Sequence, residues 1–279
     1  MLETISEARK RIVSSLDQAG VSNSDIEATI LLREVTGMDT AKLFVDRNSP
    51  LQDEHQNRLE QMLLERCKRV PLAHVLGYTE FYGRRFVTRP GVLIPRKETE
   101  VLVEQALARN IPQESLVLDL ACGSGCIGLT IAKERPDLTV HLSDVSDLAI
   151  AQTQENAAAL SVLNFRLFQS NWFDSIVGRD YYAILTNPPY IHISESGSME
   201  PEVLDHDPHI ALFHENPVGL FERLLNDSHE RLSAGGFFAA ELSPVIASDV
   251  LRIAQKIYTS AQLISDYSGH ERIILAQTK

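Results

Sequence analysis

From about residue 95 onward, apolar runs of strand length alternate with stretches of helical spacing, a rhythm that few architectures accept. The segments read as strand 115–120, helix 125–134, strand 138–143, helix 147–160, strand 164–168 and strand 182–186. Helix 217–232, strand 236–242, helix 246–258 and two final strands near 262–267 and 271–277 complete the series. A helix between two strands carries the chain back to the starting edge, so such strands run parallel and need cover on both faces. The expectation is an α/β fold on a mainly parallel sheet.

Upstream the pattern is different. Ile5, Ala8, Ile12 and Leu16 fall at helical spacing, and Gly20 supplies a stop. Ser24-Asp-Ile-Glu27 has the form of a capping box and opens a second helix predicted to end near Gly37. A short third helix is expected over 40–46. A fourth, with Leu59, Met62 and Leu63 on one face, is expected between Pro50 and Pro71. The stretches Thr79–Tyr82 and Arg85–Thr88 suggest a hairpin, and Pro90-Gly91 marks a turn. The predicted organisation is a helical domain over 1–72, a β-hairpin connector over 73–94 and an α/β domain over 95–279.

Bulk properties exclude several function classes. The amino terminus has no apolar h-region, so a signal peptide is not expected, and no apolar stretch reaches the roughly 18–20 residues of a membrane span. Three cysteines, Cys67, Cys122 and Cys126, are too few for a disulfide framework and suit a reducing cytoplasm. Cys122 and Cys126 lie four apart with no second pair to complete a zinc set. Nine histidines, His206 and His209 among them, include none at ligand spacing beside a carboxylate on a recognisable helix, so no metal is expected. The net charge of −12 argues against a long nucleic-acid partner, although Arg66-Cys-Lys-Arg69 and Arg84-Arg85 are locally basic.

Two turns carry the chemistry. Val117-Leu-Asp-Leu120 runs into Ala121-Cys-Gly-Ser-Gly-Cys-Ile-Gly128 and then into a helix. Gly123 and Gly125 let the backbone bend tightly and approach a ligand, and a helix start offers free N–H groups to a carboxylate or phosphate. In open parallel sheets ligands bind at the carboxyl ends of the strands. Gly123-x-Gly125-x-x-Gly128 also matches the dinucleotide fingerprint, a weak signal when alone. Asp144, closing the second strand, would take ribose hydroxyls with either cofactor. Two features favour S-adenosylmethionine over a nicotinamide. Asp119 precedes the turn, where an ammonium-bearing methionine end would lie, and a second motif occupies the fourth strand's end. Trp172 stands where adenine would lie, but a sole tryptophan is equally at home in a core.

That second motif is Asn187-Pro-Pro-Tyr190, following the apolar run Tyr182–Thr186. Its prolines have no N–H and a fixed φ, so strand pairing ends and the backbone is stiff. An amide side chain, carbonyls without ladder partners and an aromatic ring remain. Two rigid acceptors, the Asn187 side-chain oxygen and the Pro188 carbonyl, would take the hydrogens of a planar NH2 group, while the Tyr190 ring packs against it and excludes water. The two motifs, about sixty residues apart on strands expected to be neighbours, are far more specific together than singly.

These residues resemble the release-factor glutamine methyltransferases, the PrmC/HemK family, over essentially the whole chain. Ile94–Glu100, Pro71–Gly77, Phe81–Gly83, Glu202–Pro208 and Ile210–Leu212 are similar to further segments of that family. The resemblance implies a class I methyltransferase domain with a Rossmann-like seven-stranded sheet, a five-helix-like amino-terminal domain and the cofactor S-adenosyl-L-methionine. It implies a substrate, the glutamine of the Gly-Gly-Gln loop in class I peptide chain release factors. Carried onto this chain, cofactor contacts would come from Ala121, Cys122, Gly123, Ser124, Gly125, Asp144, Trp172 and Asn187. The substrate amide would be held by Asn187, Pro188, Pro189 and Tyr190. A cytoplasmic monomer acting on protein, without nucleic acid or membrane, is expected. Ala121-Cys122 stands where Gly-Thr is frequent in the family, Lys97-Glu98 where Pro-Asp is frequent, and His214–Pro217 replaces a glycine-rich stretch. Two other classes remain open. A DNA or RNA amino-methyltransferase would need base flipping and a basic channel. A non-catalytic cofactor-binding scaffold would have no use for a rigid amide grip.

Overall fold

The computed structural model describes residues 3–178 and 180–279. It divides into two compact units, one from the amino terminus to Gly77 together with Pro201–His206, the other Tyr78–Glu200 with Asp207–Lys279.

The first unit comprises α1 (Ile5–Gln18), α2 (Ser24–Thr36), α3 (Thr40–Val45), α4 (Asp53–Cys67) and α5 (Leu72–Leu76), joined by α9 (Pro201–His206) from far along the chain. The apolar stripe Ile5, Ala8, Ile12 and Leu16 is buried against Leu31, Leu32, Leu59 and Leu63. Truncating Leu16 to alanine would cost about 2–5 kcal/mol through lost transfer energy and the cavity left behind. A capping box forms, but at Thr4. Thr4 Oγ1 accepts the Glu7 N–H at 3.2 Å, and Glu7 Oε2 accepts the Thr4 N–H at 2.8 Å. The box expected at Ser24–Glu27 does not form. Ser24 is already helical, left-handed Asn23 precedes it, and Glu27 forms a bidentate pair with buried Arg66 at 2.7 and 3.1 Å. Arg66 also reaches Glu202 of α9 at 2.9 Å, and Glu202 pairs in turn with Arg69. This shared carboxylate ties the late segment into the helical unit.

In the second unit, β1 (Tyr78–Phe81) and β2 (Arg84–Val87) form the hairpin, followed by α6 (Glu100–Leu107), β3 (Leu116–Leu120), α7 (Cys126–Glu134) and β4 (Thr139–Asp144). Then come α8 (Asp147–Leu160), β5 (Phe165–Gln169), β6 (Tyr181–Thr186), α10 (His209–Leu212) and α11 (Pro217–His229). Strand β7 (Leu232–Glu241), α12 (Ala247–Ile257), β8 (Ser260–Ser265) and β9 (Glu271–Gln277) close the chain. The seven strands lie in the order β5-β4-β3-β6-β7-β9-β8; β9 pairs antiparallel with β7 and β8, and the other pairs are parallel. This is the class I methyltransferase fold. Successive residues feed opposite faces, Val117 one core cluster and Leu118 the other.

The hairpin is fastened to α8. Asn156 Oδ1 accepts the Val87 N–H at 2.7 Å, and Gln152 Oε1 accepts the Arg89 N–H at 3.0 Å. Asn156 Nδ2 also donates to the Ser124 carbonyl at 2.9 Å, so one buried amide supports both hairpin and glycine turn. Strand β7 begins at Leu232 rather than 236. Gly235 and Gly236 interrupt the apolar signal, and the β6–β7 register shifts between Tyr181 and Ala183 to accommodate them. The sheet grows outward from β3 through β4 to β5, then resumes on β3's other side with β6 and β7. The order therefore reverses between β3 and β6, where a ligand crevice is expected.

Candidate active site

A cavity of about 260 Å³ lies at this reversal point, walled by the turn after β3, the end of β4, Ser170–Trp172, Asn187 and Pro189 after β6, and parts of 91–99 and 208–214. Ala121, Gly123 and Gly125 are all left-handed, with φ of 57, 55 and 78°. The glycines serve different ends. A Cβ on Gly125 would lie 2.9 Å from Thr153 Cγ2, and one on Gly128 would lie 2.7 Å from Leu142 Cδ2 and 2.9 Å from Asp119 Cβ, so these two permit close packing. A Cβ on Gly123 would meet nothing within 4 Å, and Gly123 is on the cavity wall. A ligand can therefore lie against bare backbone there.

Asp144 braces the turn. Its Oδ2 accepts the Gly123 N–H and its Oδ1 the Ser146 N–H, both at 2.9 Å. Burial raises its pKa, while these N–H groups act in the opposite direction. Each oxygen retains a second acceptor site for a ribose hydroxyl. Trp172, left-handed at φ 51°, lies on the cavity wall and also packs against the core cluster. Cys122 and Cys126 are buried in the wall. Desolvation raises both thiols, Cys126 to about 12, which keeps them protonated and non-nucleophilic.

Asp119 is not on the cavity wall. It lies beneath the turn, where Oδ2 accepts the Gly128 N–H at 2.7 Å and braces the start of α7. Its Oδ1 has no partner among the described residues, and burial pushes its pKa up to about 8. The expectation that it faces the cofactor's methionine end is therefore corrected to a supporting position one layer down.

At the β6 tip, Asn187 and Pro189 line the cavity. Asn187 Nδ2 donates to Thr99 Oγ1 at 3.2 Å, and Thr99 donates to Glu241 Oε2 at 2.6 Å. The Tyr190 hydroxyl donates to Glu241 Oε1 at 2.8 Å. Among the described residues no donor reaches Asn187 Oδ1 or the Pro188 carbonyl. Of the other expected contacts, Ala121, Cys122, Gly123, Ser124, Asp144 and Trp172 are on the wall, whereas Gly125, Pro188 and Tyr190 are not. Gly125 lies under the turn, Pro188 is buried, and Tyr190 is turned toward Glu241. Thr99 and Glu241 were not singled out from sequence. The available signal was an acidic residue ending an apolar strand, Phe237-Phe-Ala-Ala-Glu241, as Asp144 ends β4. Burial raises the Glu241 pKa, and burial together with the neighbouring Glu241 charge raises that of Tyr190.

Residues 7–77 match the family described as PrmC N-terminal domain, and 84–204 match the Methyltransferase small domain. The chain is 33% identical over 273 residues to the release factor glutamine methyltransferase of Leptospira interrogans, covering 95% of each chain. The chain belongs to the release factor glutamine methyltransferase family. Its relative from Koribacter versatilis is 34% identical over 280 residues, covering 98% of each chain, and that from Escherichia coli K12 is 32% identical over 253 residues, covering 90% of this chain and 91% of the relative. Two solved structures share the methyltransferase fold at lower identity. The T. thermophilus 16S rRNA N2 G1207 methyltransferase, in complex with AdoMet and guanosine, has a TM-score of 0.54 at 18% identity over 72% of this chain and 50% of that one. A methyltransferase from Pyrococcus furiosus has a TM-score of 0.53 at 15% identity over 81% and 98%.

As a member of this family, the chain is an S-adenosylmethionine-dependent methyltransferase. The cavity fits that cofactor in its chemistry, with bare backbone at Gly123, a carboxylate at Asp144 and an indole at Trp172. Among the described residues no group of three or more His, Cys, Asp or Glu side chains is placed to hold a metal ion. No described helix is long and apolar enough to cross a membrane.

Proposed function

We propose that this methyltransferase modifies the side-chain amide nitrogen, N5, of the glutamine in the Gly-Gly-Gln motif of class I peptide chain release factors. It does so in the cytoplasm, as a monomer, on protein rather than nucleic acid. Family membership supports the substrate class. The observation that carries the chemistry is the tethering of Asn187, a cavity-wall residue whose amide nitrogen is anchored to Thr99 while no described donor reaches its oxygen.

The backbone of Ala121–Gly125, the Asp144 carboxylate and the Trp172 ring would hold S-adenosylmethionine. When bound, it supplies an electrophilic methyl group on a sulfonium centre. The protein must prepare the nucleophile. A carboxamide nitrogen shares its lone pair with the carbonyl, so it reacts only when oriented and polarised. Asn187 Oδ1 accepts one of its hydrogens, and the Pro188 carbonyl, which no described donor reaches although Pro188 lies off the cavity wall, is the second acceptor that the tip offers; together they turn the lone pair outward. As a bond forms to that nitrogen, positive charge develops and the two fixed dipoles stabilise it more than they stabilise the ground state. The nitrogen then sheds one hydrogen as a proton to water, and no strong base is required. Tyr190, fixed through its hydroxyl, stiffens the tip beside the reacting amide. The helical unit serves release-factor recognition, and the hairpin joins it to the catalytic fold.

The test is incubation of the protein and isotopically labelled S-adenosylmethionine with a release factor and, separately, with DNA and RNA, followed by peptide mass spectrometry. One methyl group on the motif glutamine is expected. Label in nucleic acid, or none on the release factor, would overturn the reading.

A further inference from the structure

An asparagine amide is nearly symmetric in shape, and half a turn of χ2 exchanges an acceptor for a donor. An amide that must accept from an NH2 group therefore needs something to set which end faces the cavity. Its near neighbours in sequence do not supply this. The prolines at 188 and 189 stiffen the backbone but offer the side chain no polar partner.

We propose that Glu241 is a positioning residue that fixes the polarity of Asn187 through the Thr99 hydroxyl. A carboxylate offers acceptors only. Buried Glu241, 2% exposed, receives the Thr99 hydroxyl at 2.6 Å on one oxygen and the Tyr190 hydroxyl at 2.8 Å on the other. Thr99 has a single hydrogen, and Glu241 takes it. What the Thr99 oxygen presents to Asn187, 3.2 Å away, is a lone pair, which only the Asn187 NH2 group can satisfy. With the amide reversed, two oxygens would face each other with no hydrogen between them. The carboxylate thus transmits its acceptor character through one hydroxyl to the amide and forces Oδ1 outward. The same carboxylate holds the Tyr190 ring, so both polar side chains of the tip answer to one group on β7. This inference rests on the reading that Asn187 accepts the substrate amide.

The experiment compares Thr99→Val, Thr99→Ser and Glu241→Gln for turnover on a release factor, with cofactor affinity measured by calorimetry. Thr99→Val keeps the shape but removes the hydroxyl. It is expected to lower kcat about three- to tenfold, the factor one hydrogen bond is worth, with cofactor affinity unchanged. Thr99→Ser keeps the hydroxyl and is expected to match wild type. Glu241→Gln leaves one acceptor for two hydroxyls and is also expected to lower kcat. The double variant should fall short of the product of the two single effects, because the Thr99 path is shared and only the Tyr190 tether is lost in addition. A Thr99→Val enzyme as fast as wild type, or a Thr99→Ser enzyme as slow as Thr99→Val, would overturn the proposal, the second by showing that packing alone matters. Asn187→Ala separates the two levels. If it is fully active, the reading of the site fails; if it is crippled while Thr99→Val is intact, only the positioning role fails.

Discussion

The turn leaving β3 and the turn leaving β6 stand side by side in the sheet, yet one is shaped mainly from within and the other from a distance. Between 121 and 125 the conformation follows from the turn's own residues, three of them left-handed, two of those glycines. Its nearest brace, Asp144, ends the adjacent strand. Between 187 and 190 the prolines fix only the backbone. The side chains are set by Thr99 and Glu241, which lie 88 residues from Asn187 and 51 from Tyr190 in sequence. On the proposed function, the difference follows the task. Holding a cofactor requires backbone N–H groups and room, which a local motif can supply. Presenting an amide oxygen in one orientation requires a side chain with an assigned polarity, and that takes a second group with nothing but acceptors.

Four changes probe this contrast. Gly125→Ala has the largest expected effect. At φ 78°, with the new Cβ 2.9 Å from Thr153 Cγ2, it should destabilise the protein by about 1–3 kcal/mol and impair cofactor binding. Denaturant unfolding and calorimetry check this, and a neutral outcome would deny that the turn dictates its own shape. Asp144→Ala should weaken cofactor affinity about ten- to a hundredfold, the factor expected when hydrogen bonds to a charged group are lost. Turnover at saturating cofactor should change little. If kcat fell while affinity held, Asp144 would belong with the catalytic tip instead.

The third change concerns pH. Desolvation raises the Asp119 carboxyl from 3.8 to about 8, so between those values the folded state binds more protons than the unfolded chain. Its contribution is fully present below about pH 4 and is lost as pH rises through 8. Asp119→Asn lacks that term, so its stability relative to wild type should climb across this window; a constant difference would show that Asp119 titrates normally. The smallest effect is Ala121→Gly. A left-handed alanine is strained, and glycine should stabilise the protein by about 1 kcal/mol, visible as a Tm higher by a few degrees.

How much could be read beforehand follows the same division. The parallel strands were legible because they are nearly continuous apolar runs, and the stripe from Ile5 to Leu16 because one helical face is buried. The glycine turn, Asp144 and Asn187 were legible because each sits in a short motif at a strand end. The capping box at Ser24 was misplaced because Arg66, remote in sequence, claims Glu27. Helix α9 was not foreseen in the helical unit, since its attachment depends on Glu202 meeting Arg66 and Arg69. Asp119 supplies the motif's carboxyl group but not its expected position, because the Gly128 N–H draws it under the helix. In the first two cases the missing fact was a polar contact between residues distant in the chain, and in the third a contact across nine residues, and periodicity encodes neither.

The central claim is that the Asn187 oxygen is an acceptor for the substrate amide. Its most direct test is single-turnover methyl transfer to a release factor by Asn187→Ala, alongside calorimetric binding of S-adenosylmethionine. The rate should fall by about 10²–10³, as on removal of one oriented dipole from a reacting centre, with cofactor affinity within about threefold of wild type. A rate within a few-fold of wild type would contradict the account.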